Sequence, residues 1–222
     1  MNAKLKLLNI ENLQKEAKSF CEKESKKNHP SLLGITDGKA VGTYVEHRFK
    51  KYLVSKYDLQ IGNSAKGIDL PSLDINTDIK VTSIVQPQSS CPFKSARQKI
   101  FGLGYNLLVF VYDKKDTSSE SRLSFLYCTF IKKERTADYT ITKRITEMIK
   151  DNANKEDFIS FLSDKNIPGD EIIYSDLADE ILSNPPLQGY LTISNALQWR
   201  LQYARVIHLK NKVDGVLNHE WK

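Results

Sequence analysis

Two carboxylates and a lysine stand out in the stretch Gly67–Ser83, GIDLPSLDINTDIKVTS. From Asp74 to Ile84 the alternation predicts a strand, with Ile75, Thr77, Ile79, Val81 and Ser83 on one face and Asn76, Asp78, Lys80 and Thr82 on the other. Asp78 and Lys80 therefore point the same way. Aspartate is disfavoured in strands, so one placed two residues from a lysine, behind an Ile and Val face, calls for an explanation. A solvated face carrying an ion pair is the plain one. The sharper one adds Asp69, separated from the strand by Leu70-Pro71, where proline ends one extended segment and lets the chain turn back. A hairpin-like return sets the Asp69 carboxylate alongside Asp78. Two converging carboxylates suit a hard divalent cation, and a neighbouring lysine can orient a water, help deprotonate it, or stabilise charge on a phosphate. Asp74 is a rival for the upstream acid, because alternation alone leaves the hairpin register open.

The elements that must position these groups are legible as patterns. Residues 5–27 put Ile10, Leu13, Ala17, Phe20 and Cys21 on one helical stripe, which predicts an amphipathic helix stopped by His29-Pro30. A second helix, from about Lys39 to Lys56, buries Val41, Val45, Phe49, Tyr52 and Leu53. Glu46 lies beside that stripe, where pairing with Lys50 at i, i+4 accounts for it; His47 reads as a surface histidine. Tyr57–Ile61 predicts a strand. Residues 94–103 predict a helix ended by Gly102 and Gly104, and Asn106–Tyr112 is an apolar run that must be buried on both faces. A polar loop, Lys114–Ser121, leads to a strand at Arg122–Ile131. Helices follow around Ile141–Ile149, Phe158–Leu162 and Ile172–Leu182, then a short strand at Tyr190–Ile193. Ser194 caps a predicted helix through Trp199, Leu201 and Tyr203 towards Ile207, with strand as the alternative there.

Asp69, then Asp78-Ile79-Lys80, resembles the signature of the PD-(D/E)xK nuclease superfamily: an acid, a variable hairpin, then acid-x-Lys on the next strand. Ile68 stands where the family name has proline, and both acids are aspartate. The order helix, three strands, helix, strand from Lys39 to Tyr112 is similar to that family's αβββαβ core. The resemblance implies an α/β, restriction-endonuclease-like fold with a mixed central sheet flanked by helices and a largely helical C-terminal extension. It implies one nuclease domain over 1–222, with an N-terminal helix at 5–27, a catalytic core at about 39–112 and an embellishment at about 122–222.

Within the superfamily the chain looks most like a type II restriction endonuclease. That likeness implies Mg²⁺, with Mn²⁺ able to substitute, held by Asp69 and Asp78 with Glu46 as a third acid, and Lys80 acting on the attacking water. Hydrolysis of double-stranded DNA then leaves 5′-phosphate and 3′-hydroxyl ends, and the enzyme is expected as a homodimer. A structure-directed repair nuclease or junction resolvase of the same fold is one alternative. A non-catalytic DNA-binding protein on a disabled nuclease fold is another.

A nuclease needs phosphate contacts to position the duplex and base-edge contacts to specify it. Two stretches qualify. The first leaves the catalytic strand directly and carries Gln86, Gln88, Ser89, Ser90, Lys94, Arg97, Gln98 and Lys99; a polar loop capping the next helix explains it equally. Gln pairs bidentately with adenine and Arg with guanine in the major groove. The second, Asn195–Arg205, interleaves Gln198, Arg200, Gln202 and Arg205 with Trp199, Leu201 and Tyr203. A net charge of +6 permits a polyanionic partner without requiring one. Cys21, Cys91 and Cys128 lack the spacing of a disulfide framework or zinc site. No signal-peptide core and no run of about 20 apolar residues is present, so a cytoplasmic protein without a membrane span is expected. Glycine-rich phosphate loops are absent, so no nucleotide cofactor is expected, and no histidine lies in a nucleophile context that suggests a serine or cysteine hydrolase.

Overall fold

The computed structural model describes residues 5–62, 67–91, 95–194 and 200–221. The chain begins with β1 (Lys6–Leu7), α1 (Ile10–Glu24), a 3-10 turn at Pro30–Leu32, α2 (Gly38–Val54) and β2 (Tyr57–Asp58). It continues through β3 (Thr77–Ser83), β4 (Gln88–Ser90), α3 (Arg97–Phe101), β5 (Asn106–Asp116) and β6 (Ser121–Ile131). After a second 3-10 turn at Lys133–Arg135 come α4 (Tyr139–Lys150), α5 (Lys155–Asp164), α6 (Glu171–Ser183), β7 (Thr192–Ile193), β8 (Arg200–Gln202), α7 (Ala204–Ile207) and β9 (Val216–Glu220).

The apolar run in β5 dictates the layering. Leu107, Leu108, Val109, Phe110 and Val111 are all fully buried, so β5 must be central and covered on both sides. It lies between β3, which is parallel to it, and β6, which is antiparallel; β9 completes a mixed sheet of order β3-β5-β6-β9. On one face Leu108, Phe110 and Tyr112 meet the apolar stripes of α1 and α2. Phe49 packs against Phe20 and Phe110 with ring centroids 5.0 Å apart in both pairs. Side-chain caps from Asn9 and Asp37 satisfy the first free N–H groups of α1 and α2. On the other face Leu107, Val109 and Val111 meet Leu191, Ile193, Leu201, Tyr203 and Val206. A third apolar cluster joins Ile100 of α3 to α4, α5 and α6.

This is the mixed α/β architecture expected, with helices flanking a central mixed sheet, and it is compatible with a restriction-endonuclease-like fold. One detail differs. The order helix, three strands, helix, strand is kept, but its third strand is β4, and the stretch carrying Asp69 contributes only a single antiparallel bridge, Leu70 to Thr77. Further on, where the sequence leaves helix and strand both open, Arg200–Gln202 is strand. Leu201 and Tyr203 are both fully buried while Arg200 and Gln202 are exposed, a period of two that a strand satisfies and a helix does not.

Candidate active site

Asp69 and Asp78 are brought together by the turn between them. Leu70 and Thr77 exchange two backbone hydrogen bonds of 3.0 Å, and Asn76, held in the left-handed region at φ 33°, closes the turn through its N–H to Ser72 O. Antiparallel pairing of 70 with 77 sets 69 opposite 78. The Gly62 N–H also donates to Asp69 O at 2.8 Å, and a Cβ at Gly62 would overlap the Ile68 carbonyl oxygen, so this approach requires glycine. Asp74 lies exposed on the turn, away from Asp78. The carboxylate that meets Asp78 is therefore that of Asp69.

The face of β3 that bears Asp78 is not solvated. Asp78 is 4% exposed, and in register it sits beside Leu107, with Lys80 beside Val109 and Thr82 beside Val111. Lys80 Nζ reaches Asp78 Oδ2 at 2.7 Å. Asp69 accepts from the Ile79 N–H through Oδ2 at 2.8 Å and from Lys50 Nζ through Oδ1 at 2.5 Å. Lys50 also holds Glu46 Oε1 at 2.6 Å, so this one ammonium ties α2 to the segment carrying Asp69. These groups line a cleft of about 450 Å³, together with His47, which is exposed at its edge.

Burial pushes the Asp78 carboxyl up to about 6, against the pull of Lys80 and with help from the neighbouring Asp69. Burial also acts to raise Asp69, but hydrogen bonds from Asp78, Lys50 and the Ile79 N–H prevail and hold it below the usual carboxylate range. Below about pH 6 the two carboxyls thus share a hydrogen bond in which Asp78 holds the proton. Burial acts to lower Lys50, yet its bonds to Asp69 and Glu46 prevail and raise it. A buried pair that cannot comfortably carry two negative charges is suited to a divalent cation, which would relieve the repulsion. Among the described residues no three His, Cys, Asp or Glu side chains form a ready-made cage. Two carboxylates with the remaining positions left to water and phosphate oxygens is nonetheless the donor set that Mg²⁺-type ions favour.

The outer residues fare unevenly. Gln86 and Ser90 are exposed, Gln88 and Ser89 half-buried, and Arg200 is exposed on β8 directly opposite Ser90 on β4. The two stretches expected to meet DNA are thus joined in one small antiparallel sheet of order β4-β8-β7. Arg97 instead grips Glu180, with Nε to Oε2 at 2.8 Å, and Gln98 donates to Leu103 O. Lys99, expected at a phosphate, is only 4% exposed, near Asp138, and burial lowers its pKa; that placement keeps it from the surface because α3 packs it inward. Lys94 and Gln198 lie outside the described residues. Lys50 is the residue that sequence reasoning missed as a site member: its i, i+4 bond to Glu46 was anticipated, its bond to Asp69 was not.

A mixed α/β fold with two carboxylates and a lysine converging at the β3 edge has the layout of a metal-assisted nuclease. Residues 7–218 match the family described as type II restriction enzyme NspV. The type II restriction enzyme NspV of Nostoc sp. is 56% identical over 213 residues, spanning 95% of this chain and 96% of that protein. The chain belongs to this family of type II restriction enzymes. No solved structure matches it. Enzymes of this class act on double-stranded DNA and generally use divalent metal ions. Among the described residues no helix is long and apolar enough to cross a membrane.

Proposed function

We propose that this type II restriction endonuclease cuts both strands of its DNA target with Asp69, Asp78 and Lys80, using Mg²⁺, as a cytoplasmic homodimer of one nuclease domain per chain. The observation that carries the reading is the convergence of Asp69, Asp78 and Lys80 in one cleft, arranged by the Leu70–Thr77 bridge. Asp69 and Asp78 would hold the metal, and Glu46 could join them once released from Lys50. When bound, the metal supplies Lewis-acid polarisation of the scissile phosphate. Lys80, held by Asp78 at 2.7 Å, positions the attacking water and balances charge that builds on the phosphate oxygens. The water oxygen bonds to phosphorus as the bond to the 3′ oxygen breaks. The water loses a proton and the 3′ oxygen gains one, leaving 5′-phosphate and 3′-hydroxyl ends.

Gln86, Gln88, Ser90 and Arg200 would meet the duplex, whereas Ser89, expected there too, is turned inward to the hydroxyl of buried Tyr203. Two-fold symmetry would let one such surface read both halves of a palindrome and bring one active site to each strand. Digestion of a sequenced plasmid with Mg²⁺, followed by mapping of the ends, tests the proposal. Discrete fragments whose 5′-phosphorylated ends fall at one sequence are expected; no cutting with Mg²⁺, or a featureless smear, refutes it.

A further inference from the structure

The β4–β8 pair has two unlike faces. Gln88 lies opposite Gln202, Ser89 opposite Leu201 and Ser90 opposite Arg200, and Gln202 is opposite Thr192 of β7 on its other side. Directly opposed residues share a face, and i, i+2 neighbours do too. One face therefore carries Ser89, Leu201 and Ile193. It is turned inward, with Leu201 and Ile193 in the core and Ser89 Oγ bonded to the hydroxyl of the fully buried Tyr203 at 2.5 Å. The other carries Gln88, Ser90, Thr192, Arg200 and Gln202. Among the described residues, the side chains of Gln88, Arg200 and Gln202 make no hydrogen bond or ion pair with the protein.

Folding accounts for the inward face and leaves the outward one unexplained. Two amides side by side and an arginine one step along, presented on the outward face of a short three-stranded sheet, match what base edges in the major groove can bond. The sheet is also tied to the catalytic strand. Thr82 shares the β3 face of Asp78 and Lys80, is 6% exposed, and its hydroxyl lies 3.1 Å from both Gln86 O and Gln88 O and 3.2 Å from Gln88 N. Thr82 lies four residue steps along the strand from Asp78, about 13 Å, or roughly four base-pair steps of duplex. A sheet starting there meets bases only a few pairs from the phosphate held over Asp78.

We infer that the outward face of β4–β8 is the base-reading element, with Gln88 and Gln202 as a paired adenine reader and Arg200 beside them. Thr82 is the positioning residue that sets this reader in register with the scissile phosphate. The inference rests on the DNA-cutting reading above and adds to it Gln202, Thr82 and the pairing of two segments far apart in sequence.

The test maps ends cut by the full chain in a random-sequence duplex library with Mg²⁺, for wild type, Gln88→Ala, Gln202→Ala, Thr82→Val and Thr82→Ser. Gln88→Ala and Gln202→Ala, the first half-buried and the second exposed and neither bonded through its side chain among the described residues, are expected to keep the wild-type Tm. Each should lose about ten- to hundredfold of the discrimination for adenine at one symmetric pair of positions. Thr82→Val should blur discrimination across the positions read by the sheet, and Thr82→Ser, which restores the hydroxyl, should recover it. If wild type cuts one sequence and both glutamine variants cut that same sequence with undiminished discrimination, the inference is overturned and the cutting mechanism stands. Equal loss in Thr82→Val and Thr82→Ser overturns the positioning role of the hydroxyl. Failure of wild type to cut any sequence would remove the parent reading and the inference with it.

Discussion

Replacing Asp78 with asparagine should make the metal-free protein more stable at pH 8 while abolishing cleavage. The Asp78 carboxyl is pushed up to about 6 in the folded chain against an ordinary 3.8, chiefly by burial. A carboxyl whose pKa is raised on folding leaves the folded state fully favoured below the ordinary value. That advantage is lost as pH rises through the folded one. Between pH 4 and 6 the metal-free wild type therefore loses up to about 3 kcal/mol through this group, and above pH 6 the loss is complete. Asparagine mimics the protonated form: its amide can donate to Asp69 as the protonated carboxyl does, and Lys80, with 20% of its side chain exposed, can turn to water. If about 2 kcal/mol survives the amide's imperfect fit, Tm rises by about 4–8 °C for a chain of this size. Thermal unfolding with EDTA at pH 8, 5 and 4 reads this directly, and the gap between variant and wild type should narrow at pH 5 and close by about pH 4. Mg²⁺ should raise the wild-type Tm more at pH 8 than at pH 5, because its ligands must be deprotonated, and should leave Asp78→Asn nearly unmoved. A variant less stable than wild type at pH 8, or a gap that ignores pH, would refute the account of a strained carboxylate pair.

Two further outcomes follow from the same geometry. Lys50→Met should lower metal-free stability by about 1–3 kcal/mol, since Asp69 and Glu46 lose the cation they share; Mg²⁺ should restore part of that loss, as read by Tm with and without metal. Phe49→Ala, at the junction of α1, α2 and β5, should cost about 3–5 kcal/mol by urea unfolding, whereas a cost below about 1 kcal/mol would contradict the packing described.

What could be read without coordinates was whatever a local pattern encodes. Alternation placed Asp78, Lys80 and Thr82 on one face because β3 buries Ile79 opposite them, and Pro71 marked the return that brings Asp69 back. The continuous run in β5 announced its central place. Contacts between distant segments left no such trace. Nothing in the alternation of either segment pairs β4 with β8, more than a hundred residues on, and the bond of Arg97 to Glu180 is equally silent. Lys99 was expected at a phosphate because the helix after the catalytic strand often supplies such contacts in folds of this kind, but α3 turns it inward. Lys50 had a satisfactory local partner in Glu46, which hid its second one in Asp69. At Leu201 and Tyr203 the strand period was present in the residues, but the capping signal at Ser194 competed with it and left helix and strand both open.

The claim on which the rest depends is that Asp78 and Lys80 perform the cut while the fold and the DNA-binding surface stand apart from them. Plasmid digestion with Mg²⁺ by wild type, Asp78→Ala and Lys80→Ala, run beside a measurement of duplex binding, tests it most directly. Wild type should give discrete fragments, and both variants should bind the duplex, remain folded and leave the plasmid intact. Cleavage retained in either variant would contradict the account.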